Sequence, residues 1–252
     1  MDGLAVRLSW RRLPWALEIV SIGLFYGLYS VVRVLAPQRV GAAFHNAAEV
    51  SSAEQRLGLS RELGVNEFLT RHSSLEVVAS YYYVSLHYLV TPLVLIFLWR
   101  RRRRVYAPLR SALVIASGLA LVIYATWPLA PPRYAMDGAV DTVHDVLSSS
   151  GHGVSGLVND IAAMPSMHVG WALWCAVVAV TVLESRWRHV AWLYPICTTM
   201  VVVATANHYL LDAVGGALVV AVPLYLCGLR RDRIVPAVDV ADSQAVTERC
   251  AA

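Results

Sequence analysis

Lysine is absent from the 252 residues, so every one of the 21 basic positions is an arginine. Charge of either sign is scarce at 15% of residues, against roughly 25% in a soluble globular domain. Cysteine is sparse as well, with four residues (Cys175, Cys197, Cys227 and Cys250), which excludes a small secreted module stapled by disulfides. No internal repeat emerges at any period. Low hydrophobicity with high net charge, the signature of disorder, is also missing. Apolar residues make up the difference: 58% of the chain is hydrophobic and the mean hydropathy is +0.55, which excludes an ordinary cytosolic enzyme and points to lipid as the main solvent.

The net charge of +4 and pI near 9.0 raise the question of nucleic acid. The arginines answer it by their positions: Arg7, Arg11 and Arg12; Arg100 to Arg104 with Arg110; Arg186 and Arg188; Arg230, Arg231 and Arg233. Each group flanks an apolar run and none forms a basic face interleaved with aromatics, so no nucleic-acid partner is expected. Six apolar runs approach the roughly 20 residues that cross a bilayer, at about Trp15 to Leu35, Val77 to Trp99, Ser111 to Leu129, Met167 to Leu183, Val190 to Ala206 and Ala213 to Leu229. They are continuous and lack the alternation of a membrane barrel, so the expected fold is all-α: a multi-pass integral membrane protein of six transmembrane helices. The first run is too long for a signal peptide, and Arg33 and Pro37 stand where cleavage needs small residues.

Threaded alternately, the six runs place all four arginine groups on one side, which the positive-inside rule makes cytoplasmic, together with both termini. The outer side receives two long connections and one tight turn. The first, about Ala36 to Glu76, mixes Glu49, Glu54, Arg56, Arg61, Glu62, Glu67 and Arg71 with Ala, Val and Leu, and reads as one or two amphipathic helices on the membrane surface or capping the bundle. The second, about Ala130 to Ser166, carries Pro131, Pro132 and the Ser148 to Gly153 stretch, and reads as a loop or lid irregular at its centre. Residues 1–236 are expected to form one membrane-embedded domain, with 237–252 a flexible cytoplasmic tail.

Three polar clusters fall at one depth on that outer side: Pro131-Pro132-Arg133-Tyr134, Pro165-Ser166-Met167-His168 and Asn207-His208-Tyr209-Leu210-Leu211-Asp212. Ionisable groups at membrane depth are costly and are retained for function. His208 and Asp212 are four apart; on a helix they share a face, and the carboxylate fixes one ring nitrogen while the other points away, as a nucleophilic or general-base histidine requires. Asn207 is the expected helix cap there, and Gly215-Gly216 permit close helix packing. Pro165 and Ser166 start a helix with Ser166 as cap, placing His168 in its first turn, so that two helix N-termini would face one anion-binding pocket. Arg133 supplies a cation with a fork suited to phosphate oxygens.

These clusters resemble the signature of the type 2 phosphatidic acid phosphatase superfamily, membrane phosphatases and phosphotransferases whose fold is shared by soluble vanadium haloperoxidases. Pro165-Ser166-Met167-His168 with Gly170, and His208 to Asp212 with Gly215-Gly216, look most like the branch containing inositol phosphorylceramide synthases. The stretch from Tyr81 to Pro92 is also similar to that branch. The resemblance implies that His208 attacks phosphorus to form a phosphohistidine and that Asp212 orients it. It further implies that His168 protonates the leaving oxygen and then activates the acceptor, while Arg133 and Ser166 bind phosphoryl oxygens, with no metal or other cofactor. Thr126 and the Val201-Val202 pair stand where the broad superfamily has a lysine and a Ser-Arg pair, leaving fewer cations for phosphate. His87, Tyr134 and Asn207 are expected as pocket residues. The expected substrate is a phospholipid or polyprenyl phosphate, cleaved at the extracytoplasmic face of the cell membrane with transfer to an alcohol or water. Two other readings compete: a transporter or receptor that binds a phosphorylated headgroup without cleaving it, and a metal site built from His168, His208 and Asp212.

Overall fold

The structure, a computed structural model, describes residues 39–149 and 161–227, together with positions 20, 23 and 27. The expected first span and the expected tail therefore lie outside the described residues, apart from those three positions, as do the Arg230 cluster and the centre of the second outer connection. Among the described residues the chain is all-helical: α1 Val40–Leu57, α2 Glu62–Thr70, α3 Ser73–Arg101, α4 Arg103–Thr126, α5 Pro132–Ala135, α6 Thr142–Ser149, α7 Met167–Val182, a 3-10 turn Arg186–Trp192, α8 Leu193–Ala204 and α9 Leu210–Leu226.

Two of these helices, α3 and α4, are long and apolar enough to cross a membrane, and α7 and α9 are apolar but shorter. α4 starts eight residues before the apolar run does, because Arg103 and Arg104 join its first turn. The hairpin between α3 and α4 turns within the arginine run itself, at Arg102. Arg103 folds back there, donating from Nε to the Trp99 carbonyl at 3.1 Å with its guanidinium 3.9 Å over the Trp99 ring. Below this turn Leu98, Leu109, Leu113, Trp174, Val178 and Leu224 bring α3, α4, α7 and α9 into one core. The Trp174 indole satisfies its N–H on the Leu109 carbonyl at 3.0 Å.

The first outer connection is two helices, α1 and α2, and they do cap the opposite end. Small residues let α1 approach closely: Ala43 and Ala47 pack on Leu129, Ala130 and Tyr209. The contact is locked by polar bonds, since the Ala130 N–H donates to the Ala43 carbonyl at 3.1 Å and the Asn46 amide to the Pro128 carbonyl at 2.7 Å. The second connection is more regular than expected at its start. Pro131 and Pro132 open the short α5, since a proline is pre-set for the first helical turn. Ser148 and Ser149 belong to α6, which begins after Asp141. The described cysteines Cys175, Cys197 and Cys227 are free thiols.

Candidate active site

Main-chain hydrogen bonds tie the three polar clusters together pairwise. The Arg133 N–H donates to the Ala206 carbonyl at 2.9 Å, joining the first to the third. The Ser166 N–H donates to the Asp212 carbonyl at 2.9 Å, joining the second to the third. Leu129 bridges to Ala162 in parallel register, with the Ala163 N–H reaching the Leu129 carbonyl at 3.1 Å, and so joins the first to the second. The Tyr124 hydroxyl adds a bond of 2.6 Å to the Pro165 carbonyl, next to the cis Met164–Pro165 peptide.

His208 is not on the helix that carries Asp212. Ala206 turns the chain with a left-handed φ of 52°, the N–H groups of Asn207 and His208 both reach the Val202 carbonyl at 3.1 Å, and α9 starts only at Leu210. Tyr209, not Asn207, is its cap residue. Asp212 Oδ2 accepts the Tyr209 N–H at 2.8 Å and lies 3.4 Å from His208 Nδ1. The nearer partner of Nδ1 is the Ala163 carbonyl at 2.8 Å. A carbonyl oxygen only accepts, so Nδ1 carries a proton, and in the neutral ring the lone pair is then on Nε2. Nε2 is buried and has no hydrogen-bond partner among the described residues.

His168 sits in the first turn of α7, its ring centroid 5.7 Å from that of His208. α3 holds it from the other side: Tyr83 stacks on it at 4.3 Å and His87 meets it edge-on at 4.3 Å. His87 is therefore buried against His168. Ser166 is the cap residue of α7, but its hydroxyl makes no cap bond; it too is buried without a partner among the described residues. The close approach here is made by Gly216. A Cβ on it would lie 2.1 Å from the Ser166 carbonyl oxygen, whereas one on Gly215 would meet the Met164 side chain at 3.3 Å.

Arg133 is buried. Its Nη1 donates to Asn207 Oδ1, and its Nε lies 3.1 Å from Asp141 Oδ2. The Asn207 amide is held in turn by the Thr205 carbonyl and hydroxyl, at 3.1 and 2.9 Å. Tyr134 remains exposed, with the Arg133 guanidinium 4.6 Å from its ring centroid. The guanidinium thus stands on the Asp141 carboxylate and on the amide of Asn207, the residue before His208.

The expectation of two anion-ready helix ends needs correction at α9. Its first N–H groups are taken by the protein's own carboxyls: Leu211 donates to Glu54 Oε1 at 2.7 Å, Leu210 to Glu62 Oε1 at 3.4 Å and Tyr209 to Asp212. Glu54 and Glu62 are fully buried beneath the cap. Burial, then hydrogen bonding to the Glu62 carboxyl, pushes the Glu54 carboxyl up to about 8, with the neighbouring charges of Glu62 and Asp212 adding to the rise against the Leu211 N–H. The sequence puts both glutamates in the mixed-charge outer connection without marking either as buried. The signal was there for Glu54, which follows Ala43, Ala47 and Val50 along the buried stripe of α1. Among the described residues no three His, Cys, Asp or Glu side chains converge as a metal ion requires.

The family model described as the PAP2 superfamily matches residues 48–226, well over half of the chain, and the chain belongs to that superfamily. Neither the curated proteins nor the solved structures contain a match to it. Membership carries phosphatase or phosphotransferase chemistry on phosphorylated substrates.

Proposed function

From its place in the PAP2 superfamily we propose that this chain is a membrane lipid phosphotransferase or phosphatase that works through a phosphohistidine on His208. The observation that carries the reading is the setting of that ring: Nδ1 is committed to the Ala163 carbonyl and Asp212, which leaves Nε2 of the neutral ring as the nucleophile, on a ring whose centroid is 5.7 Å from that of His168. In the first step Nε2 attacks phosphorus, the P–N bond forms, and the bond to the leaving oxygen breaks as His168 gives that oxygen its proton. In the second, His168 takes the proton of an alcohol or water whose oxygen attacks phosphorus, and the P–N bond breaks. Arg133, with Ser166 and nearby N–H groups, neutralises charge on the phosphoryl oxygens. His87 and Tyr83 wall His168, and Asn207 aims Arg133.

The substrate in this reading is a phospholipid or polyprenyl phosphate, and the branch is the one containing inositol phosphorylceramide synthases. Thr126 and Val201-Val202 support that choice, since they remove cations found in the broader superfamily. We assign residues 1–236 to one six-span domain with residues 237–252 a cytoplasmic tail, both termini cytoplasmic, and the site at the outer face. Support comes from the α3–α4 hairpin, whose arginine turn lies about 20 Å along α3 from His87 at 1.5 Å per residue. In a Cys197→Ser background, an impermeant thiol reagent applied to intact cells should label Asp137→Cys and spare Arg102→Cys; the reverse pattern overturns the orientation. The chemistry is tested on detergent-solubilised protein given phospholipids and polyprenyl phosphates, with and without an alcohol acceptor, following free phosphate and new lipid. Identical products from wild type and His208→Ala would refute it.

A further inference from the structure

Asp141 lies outside the residues given a role in the reaction above, yet its carboxylate pairs with Arg133. Its two oxygens have separate tasks. Oδ1 accepts the His144 N–H at 3.1 Å and caps α6, while Oδ2 faces Arg133 Nε at 3.1 Å. The chain before it is pinned: Asn66 of α2 accepts the Val140 N–H at 2.8 Å, donates to the Val140 carbonyl at 3.1 Å, and donates to the Ala204 carbonyl at 2.9 Å. The Arg133 side chain is 1% exposed and that of Asp141 24%, so the carboxylate is the accessible half of the pair.

A carboxylate and a phosphoryl group ask the same thing of a guanidinium, two N–H donors toward anionic oxygens. At 3.1 Å and largely out of water, the carboxylate also cancels much of the field that an arriving phosphoryl anion would feel. We propose that Asp141 is an internal competitor for the phosphoryl site: it holds Arg133 in the resting protein and must yield or share the guanidinium when a phosphorylated ligand enters. Asp141 thereby sets how tightly the site holds phosphoryl groups, as an affinity-determining residue that touches none of the reacting atoms. The proposal rests on the phosphoryl-transfer reading above.

The test is equilibrium dialysis of full-length protein in detergent against labelled inorganic phosphate, comparing wild type, Asp141→Asn, Asp141→Ser, Arg133→Gln and His208→Ala. Asparagine and serine both keep a cap for α6 and remove the charge, so either variant serves should the other fail to fold. Phosphate should bind at least about fivefold more tightly to the Asp141 variants, about 1 kcal/mol of recovered binding, and should be lost in Arg133→Gln. If Arg133→Gln loses phosphate while the Asp141 variants bind it no better than wild type, Asp141 merely orients Arg133 and the competition is refuted. Phosphate binding indifferent to both Arg133→Gln and His208→Ala overturns the phosphoryl-transfer reading itself.

Discussion

The Nδ1 proton of His208 is shared between the Ala163 carbonyl at 2.8 Å and Asp212 Oδ2 at 3.4 Å. The two acceptors come from different segments, one before α7 and the other in the first turn of α9, so the ring orientation depends on both staying in register. Asp212 has a second task, because the same oxygen accepts the Tyr209 N–H and closes the turn that presents His208.

Replacing Asp212 by Asn tests this division of labour. Ala163 alone still selects the Nδ1-protonated tautomer, so activity should drop without vanishing. The expected loss in kcat is about 10²-fold, the low end of what a positioned proton-transfer group contributes, with KM little changed. His208→Ala should abolish turnover and, with it, any acid-labile phosphoenzyme. Steady-state kinetics and mass spectrometry of quenched enzyme check both; an Asp212→Asn variant with wild-type kcat would remove Asp212 from the mechanism.

Adjacent glycines should respond in opposite ways to the same methyl group. A Cβ at Gly216 would stand 2.1 Å from a main-chain oxygen that cannot swing aside, and α7 would have to leave α9. Overpacking of this kind costs roughly 1–3 kcal/mol, so Gly216→Ala should lower the thermal midpoint in detergent and, by shifting Ser166, reduce activity as well. At Gly215 the obstacle is the flexible Met164 side chain, and Gly215→Ala should be close to neutral.

The parts of this arrangement that were legible in the sequence are those set by local pattern. The stretch Pro165-Ser166-Met167-His168 starts a helix where expected, and within the mixed-charge connection Val40–Leu57 and Glu62–Thr70 do fold as two helices. The illegible parts depend on main-chain contacts between distant segments. The i,i+4 spacing of His208 and Asp212 suggested one helical face, but the turn at Ala206 puts them on either side of a helix start, and nothing in the spacing points to Ala163. Asp141 could have been noticed as a helix cap ahead of His144, but its pairing with Arg133 depends on the distant Asn66 that pins Val140. The burial of Glu54 is legible only from its position on the stripe with Ala43, Ala47 and Val50, which its charge obscures.

That buried glutamate makes the stability of the cap depend on pH with a definite sign. The folded protein holds the Glu54 proton up to about 8, whereas the ordinary value is 4.5, so between these limits the folded state binds more protons than the unfolded one. The stabilisation is fully present below the lower value and is lost as pH rises through the upper one, with a slope approaching about 1.4 kcal/mol per pH unit inside the window. Thermal midpoints in detergent should therefore fall from pH 5 to pH 8. Glu54→Gln keeps an oxygen for the Leu211 N–H and removes the titration, and should flatten that fall; an unchanged slope would show that the Glu54–Glu62 pair holds no extra proton.

Arg133 should tolerate lysine as a fold element and refuse it as a ligand-binding one. The guanidinium spans two partners at once, Asn207 through Nη1 and Asp141 through Nε, while its plane lies 4.6 Å from the Tyr134 ring centroid. A lysine ammonium keeps the charge that Asp141 requires, so the loss of a buried partner, about 3–5 kcal/mol when one member of a pair is deleted outright, is largely avoided and the thermal midpoint should move little. It is a single point charge, however, and cannot hold Asn207, Asp141 and a phosphoryl oxygen in fixed directions. KM for the phosphorylated substrate should therefore rise by roughly tenfold or more, about 1.4 kcal/mol of lost binding, with a smaller change in kcat. Arg133→Gln, which removes the charge as well, should lose both binding and stability. Parallel kinetic and thermal measurements on the two variants separate charge from geometry, and equal kinetics for Arg133→Lys and wild type would mean that geometry at this position does not matter.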